Sequence, residues 1–152
     1  MIVYRLAKQQ YVNDLSGRGA EITGGRWNGK GVAALYTAGS RALAVLEVAV
    51  HVPYGIMPIN YRMIGIDVPE GDIFKLDVVD LPKNWNRNPP PGATQFLGDD
   101  FLNENKHLIL QVPSAAVAGD WNYIINPRHV GFSNLKIAFT EPFEFDSRLF
   151  KL

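Results

Sequence analysis

VAALYTAGSRALAVLEVAVH, residues 32–51, changes its period halfway along. Val32–Thr37 is a short apolar run, which predicts a buried strand. Ser40 then stands where an N-cap belongs, and the residues from Arg41 to His51 read as a helix. From Ala42 to Val50 every residue but Glu47 is apolar. A helix apolar on all sides is expected to be buried. A carboxylate within it is costly unless it is paired or hydrogen-bonded. The best local partner is His51, one helical turn later. One reading is a structural Glu–His contact, or a Glu on a narrow exposed stripe. The other is a carboxylate facing a cleft, with catalytic work to do.

Upstream, Ile2–Ala7 reads as a strand, and residues 13–31, rich in glycine and polar groups, as a long loop. Downstream, Tyr61–Val68 and Ile73–Leu76 have the content of strands. Pro82, Pro89, Pro90 and Pro91 make residues 82–92 irregular. Thr94–Lys106 reads as a helix capped by Thr94, with Phe96, Leu97, Phe101 and Leu102 on its buried face. His107–Val112 and Trp121–Ile125 are further strands, Asn126-Pro127 marks a turn, and the alternation at Phe143 and Phe145 suggests a last strand with one wet face. Many strands and few helices predict an α+β fold. No repeat and no long linker interrupts the chain, so residues 1–152 are expected to form one domain. The pattern does not reveal the strand order.

The chain has 152 residues, enough to bury a core, with 47% hydrophobic and 20% charged residues. Its 15 basic and 15 acidic residues balance, which gives no support for nucleic-acid binding through bulk charge. It has no cysteine, which excludes disulfides, thiolate catalysis and cysteine-ligated metals. The first residues lack the layout of a signal peptide, and the longest apolar run is too short to span a bilayer. A cytoplasmic location with no membrane contact is the expectation.

The loop GGRWNGKG, residues 24–31, nearly spells a phosphate-binding P-loop. Gly31 stands where the motif needs Ser or Thr, and the loop neither follows a buried strand nor opens a helix. A nucleoside triphosphatase is therefore rejected, and a hairpin with a tight Asn28-Gly29 turn is the local prediction. That leaves Arg26 and Trp27 beside Gly24 and Gly25 unexplained. Glycine permits close approach of a ligand, and arginine presents a planar fork of donors that suits phosphate. Tyr36 reads as a core aromatic or, near an acid and an arginine, as a stacking platform. Arg5 has apolar neighbours in its strand and needs a partner. Ser114 alone reads as a turn serine. There is no G-x-S-x-G elbow. His51, His107 and His129 lack metal-ligand spacing, and the last two read as packing or surface residues. Asp99-Asp100 reads as a solvated helix face.

Taken together, GGRWNGKG, LYTAGSRALAVLEVAVH, LQVPSAAVAGDWNYIINP and PFEFDSRLF resemble the RES domain, in the family's order and over nearly the whole chain. The resemblance implies an ADP-ribosyltransferase-like fold, a split, mainly antiparallel sheet with a few helices around an NAD⁺ cleft. It implies the toxin of a type II toxin–antitoxin pair. Such a toxin cleaves the nicotinamide–ribose bond of NAD⁺ by hydrolysis or phosphorolysis, or transfers ADP-ribose to a host protein. The implied partner is an antitoxin with an Xre-like helix-turn-helix that blocks the active site and itself binds DNA. The arginine, glutamate and serine of the family name map to Arg26, Glu47 and Ser114. Arg26, with Arg5 as a second candidate, would clamp the pyrophosphate. Tyr36 would stack near the nicotinamide, and Ser114 would bond the nicotinamide ribose or amide. Gly25, Trp27 and Asn28 would line the cleft. NAD⁺ is the substrate, with no other cofactor and no metal expected. A non-catalytic module holding NAD⁺ or a partner in the same cleft is the alternative from another class.

Overall fold

Alternation along the first strand sets the layers of the molecule. Val3 and Ala7 enter one buried cluster with Leu35, Ile64, Ile66, Ile109 and Ile125. Leu6 joins a second, with Ala38, Leu43, Ala44 and Met63. A third gathers Trp27, Leu102, Leu110, Val112 and Ile124. In the computed structural model, which describes residues 1–150, these clusters lie between and beside β1 (Ile2–Lys8), α1 (Arg18–Thr23), β2 (Leu35–Ala38), α2 (Arg41–Ala49), β3 (Tyr61–Asp67), β4 (Ile73–Lys75), α3 (Gly92–Glu104), β5 (Ile109–Pro113), β6 (Trp121–Ile125) and β7 (Lys136–Phe143).

The strands form one seven-stranded sheet in the order β4-β5-β6-β2-β1-β3-β7. All neighbours are antiparallel except β4 and β5. Pairing is continuous within each half. β1 runs along β3 from Ile2↔Asp67 to Lys8↔Tyr61, and β2 along β6 from Leu35↔Ile125 to Ala38↔Asn122. Between β1 and β2 the register consists of Tyr4↔Ala38 alone. The sheet is thus split at its centre. α2 packs across the seam on β1 and β2, and α3 contributes Leu102 to the cluster that holds Leu110 and Ile124 of the other half.

The predicted α+β class is observed, and several local readings change. The supposed loop 13–31 contains α1, a helix of only six residues. The strand predicted over 32–37 is shifted to Leu35–Ala38, and the one predicted over 107–112 starts at Ile109. Ser40 does cap α2, accepting from Leu43 N at 3.1 Å. The helix is not buried all round, because only Leu43 and Ala44 are buried and Leu46 is 36% exposed. One side of α2 faces a cleft and the surface rather than protein. α3 begins at Gly92 after Pro91, not at a Thr94 cap. Thr94 is fully buried, its hydroxyl donating to Pro91 O at 2.9 Å. Thr94, Gly98 and Leu102 form the helix's inward row, and Phe96, which points off it, is 70% exposed. The last strand ends at Phe143, and Phe145 is buried beyond it. Among the described residues no helix is long and apolar enough to cross a membrane.

Candidate functional site

The split opens into a cleft of about 730 Å³. Its walls come from both halves of the sheet: Arg5 on β1, Tyr36 on β2, Glu47 and His51 from α2 and its end, Asn122 on β6, and Gly25 to Trp27 from the glycine-rich loop. Asn86, Asn88 and Pro90 close another side.

Glu47 is half-buried, and its partner is not His51. Its Oε1 accepts from Ser114 Oγ at 2.9 Å and from Asn122 Nδ2 at 2.6 Å. Ser114 is 2% exposed, just after β5. Its oxygen also accepts from the backbone N–H of Ala116 and Val117, each at 3.1 Å. That leaves its proton for Glu47. Ser114 therefore holds the carboxylate, and is not among the residues lining the cleft as the family reading suggested.

Arg26 donates through Nη1 to Trp85 O at 2.8 Å and to Arg87 O at 2.7 Å. Nε and Nη2 have no protein acceptor among the described residues. Burial lowers the pKa of its guanidinium, while the charge of Glu47 pulls it back up. Arg5 donates to Asp14 O at 2.6 Å and is likewise lowered by burial, with Asp14 opposing. Both arginines remain cations. Two fixed guanidinium groups and a fixed carboxylate thus share one cleft.

The glycine-rich loop is not the predicted hairpin around Asn28-Gly29. Gly25 and Asn28 bridge each other, so the turn is made by Arg26 and Trp27. Asn28 is fully buried, and its Nδ2 donates to Ala20 O and Val32 O at 2.8 and 2.9 Å. Trp27 is 2% exposed and stacks on Trp85 at 6.4 Å. Asn28 is thus a scaffold residue and does not line the cleft. Trp27 reaches the cleft edge but is mainly core. The Tyr36 hydroxyl accepts from Trp27 N at 2.9 Å and donates to Asn28 Oδ1 at 2.7 Å. Burial pushes its pKa up, so the phenol stays protonated.

Asp99, read as solvated, accepts from Gly29 N at 2.8 Å, and Gln95 Nε2 donates to Gly25 O at 3.0 Å. Asn122, Gln95 and Asp99 were missed as site-builders. Asn122 carries a signal that the pattern did offer. It is a carboxamide two residues before the buried Ile124, and so on the same inward side of its strand. His107 and His129, distant in sequence, meet at Asp72, with His107 Nδ1 2.8 Å and His129 Nε2 3.6 Å from its oxygens.

The sequence model of the RES domain matches residues 2–146. A protein named Toxin Res from Yersinia enterocolitica is 37% identical over 152 residues, covering 98% of this chain and 99% of its own. A Toxin Res from Photorhabdus laumondii is 39% identical over 153 residues, covering 99% and 98%. A Sphingobium protein named Prs ADP-ribosylating toxin is 36% identical over 148 residues, covering 95% and 92%. Among solved structures, a chain of the M. tuberculosis MbcT–MbcA toxin–antitoxin complex superposes with a TM-score of 0.74 at 20% identity, over 94% of this chain and 84% of that one. The split, mainly antiparallel sheet with a few helices that the resemblance implied is the fold observed, and it is shared with that chain.

Proposed function

The chain belongs to the RES-domain family, and from that membership we propose that it is a toxin that cleaves the nicotinamide–ribose bond of NAD⁺. The observation that carries the proposal is the Glu47 carboxylate, fixed by two donors on Oε1 in a cleft that also holds Arg5 and Arg26. Cleavage sends the bonding electron pair out with nicotinamide, which leaves neutral, and builds positive charge on the ribose. A preorganised carboxylate beside that carbon stabilises the charge without having to reorient. Its second oxygen takes a ribose hydroxyl and helps to deprotonate the incoming nucleophile. Arg5 and the free donors of Arg26 hold the anionic pyrophosphate. The ring of Tyr36 borders the cleft and stacks on the substrate, while its hydroxyl keeps the glycine-rich loop in place.

Water, phosphate or a protein side chain can complete the reaction. The similarity to a relative named an ADP-ribosylating toxin favours keeping the protein acceptor as a second reading. The partner is an antitoxin of the Xre-like helix-turn-helix class, and the site of action is the cytoplasm. In support, Val50 and His51 line the cleft, and residues 52–60, which follow directly, include no Asp, Glu, Lys or Arg and leave Tyr54 and Ile59 86% and 69% exposed. An exposed apolar segment next to the cleft suits a protein that covers it.

The test is purified protein with NAD⁺, with and without phosphate, products identified by NMR, and Glu47→Gln as the control. The amide preserves an acceptor for Ser114 and Asn122 and removes the charge. Wild type should release nicotinamide, and the variant should lose about 10²- to 10³-fold in kcat. The second product names the acceptor: ADP-ribose for water, its phosphorylated form for phosphate. A labelled protein band from a lysate, with no turnover of NAD⁺ alone, supports the second reading. A fully active Glu47→Gln would remove Glu47 from the mechanism.

A further inference from the structure

Asn122 sits on β6 opposite Ala38 of β2 and Val112 of β5, in the half of the sheet across the seam from β1. Its Nδ2 and the Ser114 hydroxyl both donate to one oxygen of Glu47, Oε1. The other oxygen, Oε2, accepts no protein donor among the described residues and is not among their buried unpartnered atoms. It is the oxygen left open to the cleft. Asn122 loses by this arrangement, because its own Oδ1 is buried with no donor. A buried acceptor left unpaired costs stability, and native proteins rarely tolerate one. Turning the amide over would not relieve it, since Oδ1 would then face the carboxylate oxygen of Glu47. The charge of Glu47 dictates the orientation that leaves Asn122 unsatisfied.

We infer that Asn122 is a positioning residue for Glu47: with Ser114 it occupies Oε1, so that Oε2 alone is presented to substrate in a set direction. The fold gives up stability for that alignment. The inference rests on the proposed reading of Glu47 as the residue that acts on substrate. A positioning role and a structural one predict opposite changes in stability. Asn122→Leu keeps the branched shape and number of heavy atoms and removes both the donor and the orphan acceptor. kcat and kcat/KM should fall together by about 10- to 100-fold, with KM within about twofold of wild type. The melting temperature should stay level or rise. Asn122→Ala, measured in parallel, should also lose kcat while remaining folded.

Growth arrest on induction, at matched protein levels, is read beside NAD⁺ loss. If wild type arrests growth and spares NAD⁺, the NAD⁺ reading fails, and arrest by the two variants still decides the role of Asn122. Undiminished activity in either folded variant overturns the inference. So does activity lost only in step with melting, or failure of both variants to fold, because the amide would then be structural.

Discussion

The hydroxyl of Tyr36 joins a backbone N–H of Trp27 to the side chain of a fully buried Asn28. Phenylalanine would keep the ring and strand both groups. Tyr36→Phe should therefore destabilise the protein by about 1–3 kcal/mol in urea unfolding. No change in the midpoint would leave stacking as the whole role of Tyr36. Residue-level reading found Glu47 because a lone carboxylate in an apolar run is conspicuous. It named the wrong partner, because helical spacing sees only one helix. The true partners are 67 and 75 residues away, brought in by β5 and β6. Asn28 was misread for a related reason. Beside glycine it looks like a turn residue, and nothing local announces that three backbone carbonyls converge on its amide.

At the scale of elements, the glycine-rich loop is docked on α3. A Cβ at Gly98 would lie 1.8 Å from Trp27 O, so only glycine admits the loop at this distance. From that seat Arg26 reaches the proline-rich segment through Trp85 O and Arg87 O. The same side chain thus fixes one wall of the cleft and offers donors to its contents. Arg26→Ala should raise KM, and should also speed limited proteolysis within residues 84–88 of the substrate-free protein. An unchanged cleavage rate would mean that the segment holds its place without Arg26. Ser40 and α2 were legible because cap and apolar run coincide. α1 was not, since six residues between glycines give no helical period. Phe96 was placed inward by its hydrophobicity alone, although the spacing of Thr94, Gly98 and Leu102 points the other way.

For the whole molecule, composition and alternation reveal the α+β class but not the strand order, because pairing across the split depends on contacts that no segment encodes alone. The Asp72 cluster is another such product. Burial raises the pKa of its carboxyl, but bonds from His107 and the Leu108 N–H, with the charge of His129, bring it below the ordinary value. A carboxylate depressed in the folded state stabilises above about pH 4, and that contribution is lost as pH falls through the depressed value. Asp72→Asn should therefore melt below wild type at pH 7, and the gap should close as the pH drops beneath 4. A gap independent of pH would assign the stabilisation to geometry rather than charge.

The lone Tyr4↔Ala38 pair has a consequence for how the protein opens. Each half of the sheet has its own ladder, and beyond that pair the two are joined by α2 and by the buried cluster that Val3 and Ile64 share with Leu35 and Ile125. The register at the seam is the shortest in the sheet, and local opening is expected there first. A dinucleotide held by Arg5 on one side and by groups of the other half would act as a clasp. A ligand bound as proposed would stiffen the joint that it occupies, and the empty protein would be the looser molecule.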